Sequence, residues 1–185
     1  MEFTLFYRGE LKANGSPRDK QQIRRAIHPQ LKNLFEQPPL SHYKNLMQPS
    51  GSNAGIFPSI NANQFTFVPI VCTKQDLVAK LNITFLRPEP PGKLITRGGD
   101  IDNRIKTLLD ALRVPDVKQS ELPAGDEPAE TEKPFFCLLE DDNLVTEIAI
   151  KTDTLLDSAD ATEVVLLIHV ATKRLVARFS NVDLG

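Results

Sequence analysis

The sequence predicts an α+β domain, a mixed or antiparallel sheet with helices packed on one face. Residues 77–87 alternate Leu81, Ile83 and Phe85 with Lys80, Asn82 and Thr84, the period of a half-buried strand. Residues 100–113 instead set Ile101, Ile105, Leu108, Leu109 and Leu112 on one stripe, the spacing of an amphipathic helix. The segments follow one another as β-α-loop-β-β-α-loop-β-β-β. At 185 residues the length fits a single domain, 1–185, that can bury a substantial core.

Each element has its own signal. Residues 3–7 are short, aromatic and bounded by Arg8-Gly9, an opening strand. Ser16-Pro17 supplies an N-cap and a proline at the first helical position. Ile23, Ile27, Leu31, Leu34 and Phe35 continue that helix, and Pro29 should break or kink it near Ile27. Its opposite face carries Arg18, Lys20, Arg24, Arg25 and Lys32, either a solvated surface or a set of phosphate contacts. Residues 37–64, rich in Pro, Gly, Asn and Ser, read as loop. Residues 65–72 form a strand in which Pro69 marks an edge or a bulge, and Pro88, Pro90 and Pro91 end the strand after it. Residues 135–139, 143–152 and 163–172 are three further strands, the last Val/Leu/Ile-rich and central.

Composition limits the partners. Lys+Arg 22 against Asp+Glu 24 gives a net charge of -2, which at first argues against nucleic acid. The charge is unevenly spread: +7 over residues 1–113, -11 over 114–163 and +2 over 164–185. Much of the acid falls in an insertion at about 115–134, expected to be flexible. It reads as a solvated loop, or as a regulator whose acidic side chains mimic a DNA backbone and occupy the basic groove until substrate displaces them. The remainder is a basic body suited to phosphates. No run reaches the roughly 18–20 apolar residues of a membrane span. The N-terminus lacks the features of a signal peptide, so a cytoplasmic protein is expected. Cys72 and Cys137 each sit in an apolar run and read as buried free thiols. His28, His42 and His169 have no ligand spacing, and His169 reads as a core or sheet-face residue.

The chemistry concentrates at Gly98-Gly99-Asp100-Ile101-Asp102-Asn103-Arg104-Ile105-Lys106. With Ile101 at zero and about 100° per residue, Asp102 falls near 100°, Arg113 near 120°, Lys106 near 140° and Asp110 near 180°. Asp102 and Lys106 thus lie one turn apart beside the buried stripe, with Asp100 at the helix start. Alone, such carboxylates serve as caps and helix pairs. A second cluster, Glu140-Asp141-Asp142 between two strands, changes the balance, because crowded carboxylates at a sheet edge favour a bound cation. Mg²⁺ is held by one or two carboxylates plus water and phosphate oxygens. Folded against the start of the helix, this cluster would complete a site for metal-assisted phosphodiester hydrolysis. In a strand through Asp142, alternation would turn that carboxylate toward the apolar side, unless the strand begins at Asn143.

The Asp100-x-Asp102-Asn103 run with Lys106, the Leu108-Leu109-Asp110-Ala111-Leu112 helix end and the later Asp141-Asp142 pair resemble the RusA-type Holliday junction resolvases. The matched core spans residues 98–150. The resemblance implies a RusA-like nuclease domain: a homodimeric endonuclease that cleaves branched DNA with Mg²⁺, or with Mn²⁺ in its place. By position, Asp100, Asp102 and Asp142 match the essential carboxylates and Lys106 the essential lysine. Asp141 is a further metal ligand, and Glu147 falls where the family often has an acid. Arg24, Arg25, Arg104 and Arg113 are the expected phosphate contacts. The alternative is a module on the same scaffold that binds structured nucleic acid, or another partner, without cutting.

Overall fold

The computed structural model describes residues 1–46, 56–88, 95–96, 99–157, 160 and 162–185. The loop expected around Pro49, Gly51 and Gly55, and the prolines Pro90 and Pro91, lie outside the described residues. The strands are β1 (Glu2–Glu10), β2 (Ile60–Ala62), β3 (Phe65–Val71), β4 (Leu77–Arg87), β5 (Ile95–Thr96), β6 (Gly99–Asp100), β7 (Phe135–Leu139), β8 (Val145–Thr154) and β9 (Glu163–Arg174). The helices are α1 (Pro17–Phe35) and α2 (Ile101–Leu112). The result is a mixed α+β fold with parallel and antiparallel pairings and helices packed alongside.

The larger sheet runs β1-β9-β4-β8. β9 is antiparallel to both neighbours, whereas β4 and β8 run parallel. β9 is interior, as its apolar composition predicts. The smaller sheet runs β2-β3-β7, with β3 parallel to β7. β3 is the central strand of this sheet, but β2 pairs only with Phe65–Phe67, so among the described residues Pro69 has a strand partner only on its β7 side, a local edge of the kind its sequence predicts.

α1 begins as its sequence dictates. Ser16 accepts from the Asp19 backbone N–H and Asp19 reaches back to Ser16 N, a complete capping box. The helix does not break at Pro29 but continues to Phe35. A helix-interior proline costs about 3 kcal/mol. Burial of Ile23, Ile27, Leu31 and Phe35 on both sides of it offsets that cost. These side chains meet Leu5, Ile83 and Ile168 of the larger sheet and Ile70, Phe136 and Leu138 of the smaller one in a single core. Ile105, Leu108 and Leu112 bring α2 into it.

Residues 115–134, expected as a flexible insertion, lie against α1 and the smaller sheet. Leu122 is buried with Phe65, Phe67 and Phe135 in a satellite cluster. Arg25 binds Asp126 at 2.9 Å and Glu132 at 3.0 Å, and Lys32 donates to the Thr131 carbonyl. Both cysteines are buried and unbonded, and burial raises the Cys72 thiol to about 12. His169 is exposed on β9 beside Thr4, a sheet-face histidine. No helix among the described residues is long and apolar enough to cross a membrane.

His28 joins α1 to β7. Its Nδ1 accepts from the Phe136 N–H at 2.9 Å and its ring stacks on Phe135, so Nε2 carries the proton toward the Thr131 carbonyl. Burial holds this imidazole below its ordinary 6.5. The unfolded chain then takes up the proton first, so the stability from neutral His28 is full above that value and is lost as pH falls below it. Lowering the pH from 7.5 to 5.5 should reduce the melting temperature, at a slope of at most on the order of 1 kcal/mol per pH unit. In His28→Asn, whose Oδ1 can still accept from Phe136, the pH profile should flatten.

Candidate active site

The site is assembled where α2 meets the end of β7. Leaving α2, Arg113 bridges to Leu139, and the Val114 N–H donates to the Leu139 carbonyl at 3.0 Å. On the other side of β7 the Glu140 N–H donates to the Val71 carbonyl at 2.8 Å. β7 is clamped between them, so Glu140-Asp141-Asp142 emerges directly beside α2. Asp141 then caps a 3₁₀ turn over Asp142–Leu144 by accepting from Asn143 N at 2.9 Å. β8 begins only at Val145. Asp142 thus precedes the strand and is exposed, so strand parity never turns it inward.

A cleft of about 420 Å³ results, lined by Asn103, Lys106 and Asp110 of α2, Arg113 just after it, Lys20 of α1 and Asp142, together with Asn14, Gly15, Gln119 and Glu121. Lys106 and Asp142 share it. The acidic turn faces α2 from Asn103 to Arg113 rather than only at its first turn. Asp102 lies in that first turn, exposed, with its Oδ1 accepting from Asn103 N. Asp100 ends β6, which pairs with β5 immediately before α2; its side chain lies outside the described residues. Among the described residues, no three His, Cys, Asp or Glu side chains group closely enough to hold a metal ion. Glu147 stands on β8 and binds Lys80 at 2.6 Å, so it belongs to the sheet rather than the cleft.

The cleft's charges are mostly paired. Asp110, only 8% exposed, accepts from Lys20 at 2.8 Å and from Arg113 at 3.3 Å. Arg113 also binds Glu121 at 2.6 Å. Burial pulls against the Arg113 charge, but Glu121, Asp110 and Asp142 outweigh it and hold its pKa above the ordinary value. Lys106 makes no ion pair with a described residue. Partial burial, then Asp141, raises the Asp142 carboxyl despite the opposing pull of Arg113.

The expected phosphate contacts are differently placed. Arg24 is 1% exposed, donating to the Asp110 carbonyl at 2.6 Å, and burial lowers its pKa to about 10. It points inward from the face expected to be solvated, because that face is roofed by α2. Arg25 is engaged by Asp126 and Glu132, and Arg113 by Asp110 and Glu121. Arg104 is half-buried on α2. Asp110 and Glu121 are not among the expected site residues, and Lys20 is expected only as part of the basic face of α1. The helical angles near 120°, 140° and 180° for Arg113, Lys106 and Asp110 were the available signal for Asp110. No protein-family model and no curated protein matches the chain.

Because its raised pKa makes the charged form of Asp142 unfavourable in the folded state, its ionisation weakens the metal-free fold as pH rises through the carboxylate range. Asp142→Asn should therefore raise the melting temperature at pH 7 in chelator-treated buffer. A scanning calorimetry trace showing a decrease would contradict this charge balance.

Proposed function

We propose that the chain is a Mg²⁺-dependent endonuclease of branched DNA, with Mn²⁺ able to substitute, in the manner of the RusA-type resolvases. The observation that carries the reading is the shared cleft of Lys106 and Asp142, which the whole 114–134 segment separates in sequence. The donor chemistry fits a hard cation. Asp142 is raised by burial and by the neighbouring carboxylates Asp141 and Asp110, an excess of negative charge that a divalent ion relieves. Asp142 and Asp141, with Asp100 from the end of β6 and Asp102 from the first turn of α2, are the residues assigned to hold it. When bound, Mg²⁺ lowers the pKa of an attacking water and offsets charge on the scissile phosphate.

The remaining roles belong to the chain. Asp110 and Glu121 hold Lys20 and Arg113 in fixed positions, and Lys106 is left to meet the phosphate and stabilise charge developing on it. Arg25 and Arg113 reach DNA only by exchanging their carboxylate partners, and their contacts set affinity and salt dependence rather than sequence choice. Asp126 and Glu132 then compete with phosphate for the same cation.

Asp102→Asn should abolish Mg²⁺-dependent cleavage of a four-way or flapped DNA while moving stability by less than about 0.5 kcal/mol, since Asp102 is exposed. Undiminished cleavage by this variant would overturn the assignment. Tight junction binding by the native chain, with no cleavage in Mg²⁺ or Mn²⁺, would instead establish the non-cleaving module.

A further inference from the structure

Beyond β9 the chain forms a loop, residues 175–185, whose frame is fixed while several of its apolar side chains stay uncovered. Asn181 is fully buried. Its Nδ2 donates to the Gln75 carbonyl at 2.7 Å and the Val176 carbonyl at 2.8 Å, and its Oδ1 accepts from the Arg178 N–H at 2.7 Å. The Leu175 N–H donates to the Asp76 carbonyl at 2.8 Å, Arg178 binds the Asp76 carboxylate, and Leu184 is buried in the core. Phe179 is nevertheless fully exposed, and Leu175, Val176 and Val182 are each more than half exposed. An apolar patch held out on a fixed frame marks a binding surface.

The charge around the patch identifies its partner. Residues 173–182 contain Lys173, Arg174 and Arg178 and no Asp or Glu. The two acids alongside are engaged, Asp76 by Arg178 and Asp183 by a hydrogen bond from Tyr43. Arg174 donates to the Val182 carbonyl, and neither it nor the exposed Lys173 forms an ion pair with a described residue. An aromatic face flanked by cations suits single-stranded nucleic acid: a base stacks on the ring and the phosphates beside it meet the cations. The position of the loop agrees. It is anchored to the short turn Thr73–Asp76, and the Thr73 N–H donates to Glu140 Oε2 at 2.6 Å. The acidic turn of the cleft and the Phe179 loop are therefore bound to the two ends of one short turn. A flexible strand can follow the surface from one to the other, whereas a lipid surface would touch the loop alone.

We infer that Phe179 is a stacking platform for an unpaired base of single-stranded DNA, with Lys173 and Arg174 meeting the adjacent phosphates. The inference rests on the reading of the cleft as a nuclease of branched DNA. It adds the feature of the substrate that is engaged, unpaired nucleotides such as those of a flap. Bases inside a duplex are stacked on one another and offer the ring no free face.

The chain contains no tryptophan, so Phe179→Trp installs a single indole at the platform. In chelator, its fluorescence should be quenched by a single-stranded oligonucleotide of about 12 residues. A blunt duplex of the same sequence, or vesicles of phosphatidylserine and phosphatidylcholine, should leave it unchanged. Phe179→Ala should bind the oligonucleotide about tenfold more weakly than the native chain, with melting temperature and duplex affinity unaltered. Binding of the oligonucleotide to the native chain should weaken as salt rises. Equal oligonucleotide affinity of the native chain and Phe179→Ala would overturn the inference. So would equal quenching by duplex, an indole response to vesicles but not to the oligonucleotide, or a response to protein concentration alone. Binding in chelator is read without cleavage, so these outcomes leave the nuclease reading to the Asp102→Asn test.

Discussion

The carboxylate and carbonyl of Asp110 hold together the side of the molecule that contains the cleft. Three cations converge there, two from α1 and one just beyond α2: Lys20 and Arg113 on the carboxylate, Arg24 on the backbone carbonyl. A buried guanidinium without a partner would cost several kcal/mol, so α1 and α2 can approach only in the relation that satisfies Arg24. Arg113 extends the same network to Glu121, fixing the start of the acidic segment. Its backbone neighbour Val114 ties the network to β7. The cleft containing Lys106 and Asp142 is the space left beside that junction.

The charge asymmetry of the chain has a structural resolution. The basic face of α1 and the acid of residues 115–134 do not remain separate patches. Arg25 meets Asp126 and Glu132, and Leu122 anchors the segment among Phe65, Phe67 and Phe135. The near-neutral total is therefore reproduced locally, by pairing across one interface. Lys106 stands apart from this neutralisation. It has no ion-pair partner among the described residues and shares its cleft with a carboxylate raised by burial and by Asp141, which makes the cleft an electrostatically unfinished place on the molecule.

Much of the fold was legible because its signals are local. The capping box at Ser16, the stripe of α2, the alternation of β4 and the apolar run of β9 each act within a few residues. The α1 proline departs from its sequence reading for one reason. The cost of a proline is local, whereas the contacts that offset it come from elsewhere in the chain. The same reason hid the fate of Arg24: its place on the helix follows from periodicity, but the roof over it is α2, which is distant in sequence.

The sequence by itself determined the candidate chemistry: which carboxylates, which lysine, and their spacing along α2. Helical geometry is periodic, so the angles of Asp102, Lys106, Asp110 and Arg113 around that helix follow from counting residues. Only the tertiary structure decided that Asp142 meets α2 across from Lys106, since this depends on β7 being held between Val71 and Val114. It alone decided that Asp110 is a structural hub and that Arg24 and Arg25 are engaged within the chain. Strand order and charge pairing are relations between distant segments, and the free energy of those contacts exists only once the segments have met.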